Sequence, residues 1–250
     1  MIKFFRKIRQ DLLRDNKIGD YLKYAVGEIV LVVIGILIAL SINNWNESRK
    51  NDLEQALLVK NIIEDLRLDF IHINKSSEQV SNQMNLIDDL ISKIFDEKKK
   101  INYDSIGLIR FSSDFRPISQ RNHSESISTL EDDFIRELIQ DYFLKEDQVT
   151  DIFIEYVDIV HNKIRPYLSN VGMHNLRSLY NQDSSNKNLK VPLNPIILEE
   201  QLVKVAFQQL LYERKLKTNS FKKLLNEIKI KNQELVKSLS LIINYISVTL

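Results

Sequence analysis

The apolar stretch "YAVGEIVLVVIGILIALSINNW", residues 24–45, decides how the chain is organised. It contains no charged residue between Ile29 and Ile42, and its one carboxylate, Glu28, lies at the front edge of that run. No polar face is visible in the run, which argues against an amphipathic soluble helix. A helix from Tyr24 to Ile42 measures about 28 Å at roughly 1.5 Å per residue. This nearly matches the roughly 30 Å hydrocarbon layer of a bilayer.

Aromatic residues flank this stretch where a membrane interface would place them. Tyr21 and Tyr24 lie at one end and Trp45 at the other, as in the aromatic belts of membrane proteins. We therefore predict a single transmembrane helix over residues 21–44. A cleaved signal peptide is the alternative, since "ALS" at 39–41 has the small residues of a cleavage site. The long preceding segment of mixed charge favours an uncleaved anchor.

The charge distribution predicts the orientation of this span. Residues 1–24 contain seven basic and three acidic residues, a net charge of +4, whereas the whole chain carries +1. Basic residues next to a span remain in the cytoplasm. We therefore expect residues 1–20 to form a cytoplasmic basic amphipathic tail, and residues 45–250 to form an external domain.

Two features of the span are candidate functional residues. Glu28 is ionisable within a membrane segment, which makes it a functional candidate, and a locally paired position at the interface is the alternative. Small residues recur every four positions and would allow a second helix to approach closely. This helix-packing face consists of Gly27, Gly35 and Ala39, with Leu31 in the same row.

The remainder of the chain has the composition of a helical protein. Five glycines and four prolines are few for 250 residues, which favours long helices over sheets. The absence of cysteine excludes thiol catalysis, thiolate metal sites and disulfides. A net charge near +1 argues against nucleic-acid binding.

Apolar residues with alternating spacings of three and four define two long helical seams. The second runs from Phe221 to Ile246 with polar Asn232 inside it. The first has one break, at Ser77, and consists of Val59, Ile63, Leu66, Phe70, Ile73, Val80, Met84, Ile87, Ile91 and Ile94. We predict an all-α fold in which the transmembrane helix continues into an elongated antiparallel, coiled-coil-like bundle. Coiled-coil dimerisation is the competing use of either seam.

The predicted boundaries of the helices follow these seams. Long helices are expected at about 48–98 and 196–248, with shorter ones at 126–144 and 147–168. Pro166 is expected to kink or end the last of these. The segment 101–123 is expected to be a brief strand or an irregular connection.

No motif predicts catalytic, cofactor-binding or metal-binding residues. Asp69 with His72, and Asp158 with His161, have the D-x-x-H spacing that places a carboxylate and an imidazole on one helix face. Di-iron bundles use paired E-x-x-H motifs, but here aspartate replaces glutamate and no pair of bridging glutamates accompanies them. We therefore expect no metal, no cofactor and no enzymatic activity.

The N-terminal region resembles a known family. The run "MIKFFRKIRQDLL" followed by "YLKYAVGEIVLVVIGILIALSINNWNE" is similar to the signature of an uncharacterised family of bacterial single-pass membrane proteins, a domain of unknown function. "LEDDFIRELIQDYF" at 130–143 is similar to a helix of that family, without the glycine-containing turn that usually precedes it. The resemblance implies a Gram-negative inner-membrane protein with a periplasmic helical domain, and it implies no activity.

These observations predict a membrane-anchored, non-enzymatic helical protein that binds or scaffolds a partner in the cell envelope. The expected partners are the lipid bilayer and either another protein or a second copy of the chain, and no nucleic acid. Two alternatives stay open. One is a subunit of a membrane transport or energy-transduction complex that uses Glu28, and the other is a ligand-sensing helical bundle that acts through a partner.

Overall fold

The computed structural model describes residues 18–176, residue 180 and residues 193–249, and these residues contain helices and connecting segments but no β-strand. The bridge between His174 and Leu193 is isolated. The prediction of an all-α fold is confirmed. The six α-helices of these residues are α1 Ile18–Phe95, α2 Ser119–His123, α3 Asp133–Asp158, α4 Arg165–Asn170, α5 Pro195–Leu202 and α6 Val205–Thr249.

The described chain divides into two compact units, one that ends at Leu57 and one that covers Leu58–Thr249. In the first unit the described residues belong to α1 alone. The second unit, called the helical unit below, contains the rest of α1 and the other five helices. The predicted cytoplasmic tail lies almost wholly outside the described residues.

Three long helices, α1, α3 and α6, form the bundle of the helical unit. Asn232 Nδ2 donates to the Leu66 carbonyl at 2.9 Å, and Arg214 Nη2 donates to Gln83 Oε1 at 3.0 Å. Residue numbers on α6 therefore fall as those on α1 rise, so the two predicted seams pair antiparallel within one chain. The ion pairs between α3 and α6 follow the same order: Asp141–Lys231, Lys145–Glu227 and Glu155–Lys217.

The buried stripe of α1 includes most of the predicted seam, Ile63 and Met84 among them, and departs from it by one residue where Asp69 is buried in place of Phe70 and Leu90 in place of Ile91. Every seventh residue of the actual stripe is polar and buried, namely Asp69, Ser76 and Gln83. The predicted seam instead used Phe70, which is only half-buried. The remaining positions of the stripe are apolar and buried: Val59, Ile62, Leu66, Ile73, Val80, Ile87 and Leu90.

The apolar core contains two clusters. The first joins α1, α3 and α6 through residues such as Leu66, Ile139 and Leu225, all 0% exposed. The second lies where α1 ends, and it joins Leu90 to the α4 residue Leu168 and to α5 and α6. The two clusters give the helical unit a hydrophobic interior along its whole bundle.

Helix α3 is longer than predicted and ends differently. Asp132 caps its start by accepting from the Ile135 amide at 3.1 Å. The expected break between residues 144 and 147 is absent, because the charged residues there pack on or within the bundle instead of forming a turn. A six-residue π-helix, Ile159–Ile164, follows α3. It lies directly before Pro166, whose missing N–H removes one α-helical hydrogen bond.

Two helices replace the single one expected from residue 196 onward. Asn194 caps α5 by accepting from the Ile196 amide at 3.0 Å, and α5 ends at Leu202. The break has no glycine or proline to mark it. It is stabilised by the Gln208 side chain, whose Nε2 donates to the Leu202 carbonyl at 2.8 Å, and by burial of Phe207.

The uncertain segment after α1 contains no strand. Residues Tyr103–Arg110 form a 3-10 helix capped by Asn102, whose side chain accepts from the Asp104 amide at 3.0 Å. The residues that follow run in no regular element until α2 begins at Ser119.

Candidate functional site

The first candidate region is residues 29–42 of α1, called the anchor segment below. Nearly every side chain in it is an aliphatic one, and all fourteen residues are exposed. Helix α1 is the one helix among the described residues that is long and apolar enough to cross a membrane. A helix that is apolar on all sides, and that no other part of the described chain covers, requires an apolar surrounding.

The other predicted residues of this region lie on the same helix. Glu28 is half-buried, and Ala39 is exposed. A methyl group added at Gly27 or Gly35 would meet no atom within 4 Å, so the described chain does not use the helix-packing face. Trp45 is 64% exposed, with the Arg49 guanidinium 5.8 Å from its ring centre. The side chains of the two predicted tyrosine anchors, Tyr21 and Tyr24, lie outside the described part of the structure.

The two D-x-x-H pairs do not come together. Asp158 accepts from the neighbouring Asn162 side chain at 2.6 Å, and His161 is exposed. His72 is exposed as well, while Asp69 is buried and binds backbone amides. Within residues 18–176 and 193–249 no group of three or more histidines and carboxylates is placed to hold a metal ion.

The second candidate region is residues 111–123, called the latch segment below, which α1 holds through carboxylates. Asp69 Oδ1 accepts from the Ile118 amide at 2.7 Å, and its Oδ2 accepts from the Ser119 amide at 2.9 Å. One turn earlier, Asp65 Oδ2 lies 2.9 Å from His123 Nε2. Each carboxylate thus satisfies polar groups that would otherwise be buried without partners.

Further contacts fix the rest of the latch segment. Ser113 Oγ donates to Gln79 Oε1 at 2.9 Å, and Ser76 Oγ donates to the Asp114 carbonyl. Phe115 inserts into the first core cluster, with its ring centre 6.4 Å from those of Phe153 and Phe221. The latch segment is therefore held by hydrogen bonds along α1 and by the buried side chain of Phe115.

A buried arginine binds the first residue of the latch segment, Phe111. Arg214 of α6 is 0% exposed, and its Nη2 donates to the Phe111 carbonyl at 2.9 Å and to Gln83 Oε1 at 3.0 Å. Its guanidinium carbon lies 4.6 Å from the Tyr156 ring centre. Burial lowers the pKa of Arg214. This side chain joins α1, α3, α6 and the latch segment, which is a structural role.

A buried acid lies beneath the latch segment. Glu146 of α3 is 0% exposed. Its carboxyl group lies next to the Asp69 carboxylate, the Tyr142 hydroxyl and the Gln120 backbone, and among the described residues no cation pairs with either of its buried oxygens. It lines a cavity of about 10 Å³ together with Asp69, His72 and Arg116, which is roughly the space of one water molecule. Burial, with a further contribution from the charge of Asp69, raises the pKa of Glu146 to about 9.

Sequence reasoning missed these polar residues for a specific reason. Asp69, Ser76 and Gln83 recur every seven residues in register with the apolar stripe of α1, and that spacing is a signal that was available. Glu146 and Arg214 lie in charged runs, "LKEDQ" and "YERKLK", where nothing local distinguishes the buried residue from its exposed neighbours.

The third candidate region is a groove between α3 with its π-helix and α6, called the side groove below. Its volume is about 560 Å³, within the range of ligand and peptide sites. Apolar residues of the groove are Ile154, Ile159, Ala206 and Leu210. Charged residues of both signs surround them: Glu155, Asp158, Lys163, Glu213 and Lys217. The adjoining π-helix is a feature that is frequent at functional sites.

These regions define an all-α protein with one helix able to cross a membrane and a bundle rich in buried polar contacts. Residues 28–109 match the model of a family of unknown function (DUF6090), which confirms the resemblance to an uncharacterised family. The match covers the anchor segment, most of α1 and the 3-10 helix, and it excludes Glu146 and Arg214. No curated protein matches the chain, and no solved structure matches it.

Proposed function

We propose that this protein is a single-pass protein of the bacterial inner membrane that binds or scaffolds a partner protein without catalysing a reaction. The carrying observation is the anchor segment, which is apolar on every side and exposed along its length. The basic N-terminal region, with its net +4, supports a cytoplasmic N-terminus and a periplasmic helical unit.

The side groove supports partner binding. Ile154 is 61% exposed there, next to exposed Ala206 and half-buried Leu210. An apolar floor between charged residues of both signs fits the apolar face and flanking charges of an amphipathic helix. We therefore propose such a helix of another protein as the occupant of the side groove.

Site-specific photo-crosslinking in living cells tests this proposal. A photoreactive amino acid replaces Ile154 or Gln209 in the full-length protein, and Glu137, which is exposed on α3 outside the groove, serves as the control position. We expect one discrete adduct from both groove positions and none from the control.

A second substitution makes the result specific. Ala206→Glu places a charge on the apolar floor of the groove at an exposed position, so it leaves the fold intact and abolishes the adduct. Equal adducts from Glu137, or an adduct that persists in Ala206→Glu, would show that the side groove is not the binding surface.

A further inference from the structure

Glu146 is the one buried acid of α3 that lines the cavity beneath the latch segment. An isolated ionised carboxylate in such a position costs several kcal/mol of solvation free energy. Buried charges normally have a partner of opposite charge, yet Glu146 lies beside the Asp69 carboxylate and no cation pairs with either of its oxygens in the described residues. A proton is the smallest ligand that would neutralise this group.

The charged groups that face Glu146 do not replace that proton. Asp69 and His72 face the cavity from α1, and Arg116 faces it from the latch segment. His72 and Arg116 are exposed, so water screens their charges. The Tyr142 hydroxyl of α3 and the Gln120 backbone of the latch segment lie next to Glu146 and bear no charge, and Asn232 of α6 donates to the Tyr142 hydroxyl at 3.0 Å.

We propose that the latch segment is controlled by a proton: it closes over α1 and α3 when Glu146 is protonated, and it detaches when Glu146 ionises. The proposal concerns regulation of the helical unit and does not rest on the side groove or on the identity of a partner.

The geometry couples the charge of Glu146 to the closure of the segment. Asp69 shares the cavity with Glu146 and accepts the Ile118 and Ser119 amides. A second negative charge in that cavity repels Asp69 and draws in water, which competes for the same amides. Detachment of residues 111–123 hydrates both carboxylates and relieves the repulsion.

The direction of the pH effect follows from proton linkage. In the closed state the pKa of Glu146 is about 9, and in a hydrated open state it returns toward its ordinary value of 4.5. Closing therefore takes up a proton between these two values. The opening equilibrium constant rises with pH, by at most about tenfold per pH unit in that window.

Hydrogen exchange of the full-length protein in lipid nanodiscs tests the proposal. Protection factors of residues 111–123, corrected for intrinsic exchange, are compared at pH 6 and pH 8 with those of α6 residues 221–239. We expect protection of the latch segment to fall by about 10-fold to 100-fold, and to lie below that of the α6 reference at both pH values, because the latch segment opens without unfolding of α6.

Three variants define the outcome. Glu146→Gln, which cannot ionise, should keep its latch protection at pH 8, whereas His72→Gln and the exposed control Glu137→Gln should behave like the wild type. The proposal is overturned if wild-type latch protection is flat with pH, if the latch segment is as strongly protected as the α6 reference at both pH values, or if Glu146→Gln retains the wild-type pH dependence.

A measurement on the wild-type protein covers the case in which Glu146→Gln does not fold. Infrared spectroscopy with isotope-labelled glutamate reports the protonated carboxyl directly. A protonated glutamate that persists at pH 7 supports the proposal, and complete ionisation of all glutamates at pH 7 contradicts it.

Discussion

Two parts of helix α1 differ in which side chains they expose and which they bury. In the anchor segment apolar side chains are exposed on every face, and no charge interrupts them. Between residues 59 and 90 the same helix is amphipathic, and its buried stripe includes Asp69, Ser76 and Gln83. In the first part the backbone N–H and C=O groups bond to each other within the helix, so that part is stable wherever its side chains have an apolar surrounding. The second part uses buried polar groups to hold a neighbouring segment in place.

The difference shows why exposure has to be interpreted together with polarity. Ile34 in the anchor segment and Ile71 in the helical unit are similarly exposed, at 48% and 60%. Ile71 and Leu68, three residues earlier, are two exposed apolar residues on an otherwise polar helix surface, which is normal for a water-soluble bundle. Ile34 belongs to a continuous apolar surface, which is typical of a membrane span.

The largest effect is expected from placing arginines in the two parts of α1. Ile34→Arg with Ile38→Arg should cost about 6 kcal/mol of membrane insertion free energy, because each arginine costs about 3 kcal/mol at the centre of a span. Leu68→Arg with Ile71→Arg, at exposed positions of the helical unit, should change stability by less than about 1 kcal/mol. Membrane fractionation and denaturant unfolding measure the two outcomes; equal insertion of both double variants would contradict the assignment of the anchor segment.

Removal of the buried arginine is expected to have the next largest effect. Arg214→Met removes the donor of the Phe111 carbonyl and one of the two donors of Gln83, whose side-chain oxygen also accepts from the Tyr156 hydroxyl. It should lower the free energy of unfolding by about 3 kcal/mol. The adjacent Lys215 pairs with Asp88 at a half-exposed position, so Lys215→Met should cost less than about 1 kcal/mol. Urea unfolding measures both, and similar losses would mean that Arg214 does not join the helices as described.

Replacement of the buried acid Glu146 should raise the free energy of unfolding, whereas replacement of Arg214 lowers it. The folded-state pKa of Glu146, about 9, exceeds its ordinary value of 4.5, so folding takes up a proton, and the stability present below pH 4.5 is lost as pH rises toward 9. Glu146→Gln should therefore raise the free energy of unfolding by about 3 kcal/mol at pH 7, and by almost nothing at pH 4.5. Unfolding curves from pH 4.5 to pH 8 measure this; a wild type whose stability relative to the variant does not fall with pH would exclude a neutral buried Glu146.

The smallest effect is expected at the helix-packing face. A side chain at Gly35 has open space within the described chain, so Gly35→Leu should leave the fold unchanged and affect only contacts with another helix. If the face packs in the membrane, association should weaken by about 1 kcal/mol. Crosslinking in native membranes measures this, with Leu37→Ile as the control; unchanged association in Gly35→Leu would mean that the face is not used.

The sequence predicts those features of the fold that depend on repeated spacing. The apolar run after Glu28, the seam from Phe221 to Ile246 and the all-α class all follow from periodicity and composition, and the structure confirms the class. The break after Leu202 could not be predicted, since its stabilising contacts are a side-chain cap and the burial of Phe207. These are tertiary contacts and leave no local signal.

The candidate sites were less predictable from the sequence than the fold. The choice of Phe70 over Asp69 as a seam residue followed from hydrophobicity, whereas the structure buries Asp69 because the latch segment supplies its amide donors. Those donors are about fifty residues away in sequence. Likewise, Glu146 becomes unusual only when α1, α3 and the latch segment enclose it.

The most direct test of the central claim is protease treatment of intact spheroplasts, combined with carbonate extraction of their membranes. The claim is that the anchor segment holds the helical unit on the outer side of the inner membrane. It predicts that the full chain stays with the membranes in carbonate, and that external protease degrades residues 58–249 without lysis. Release of the chain by carbonate, a mature chain that begins at Ile42, or degradation only after lysis would contradict it.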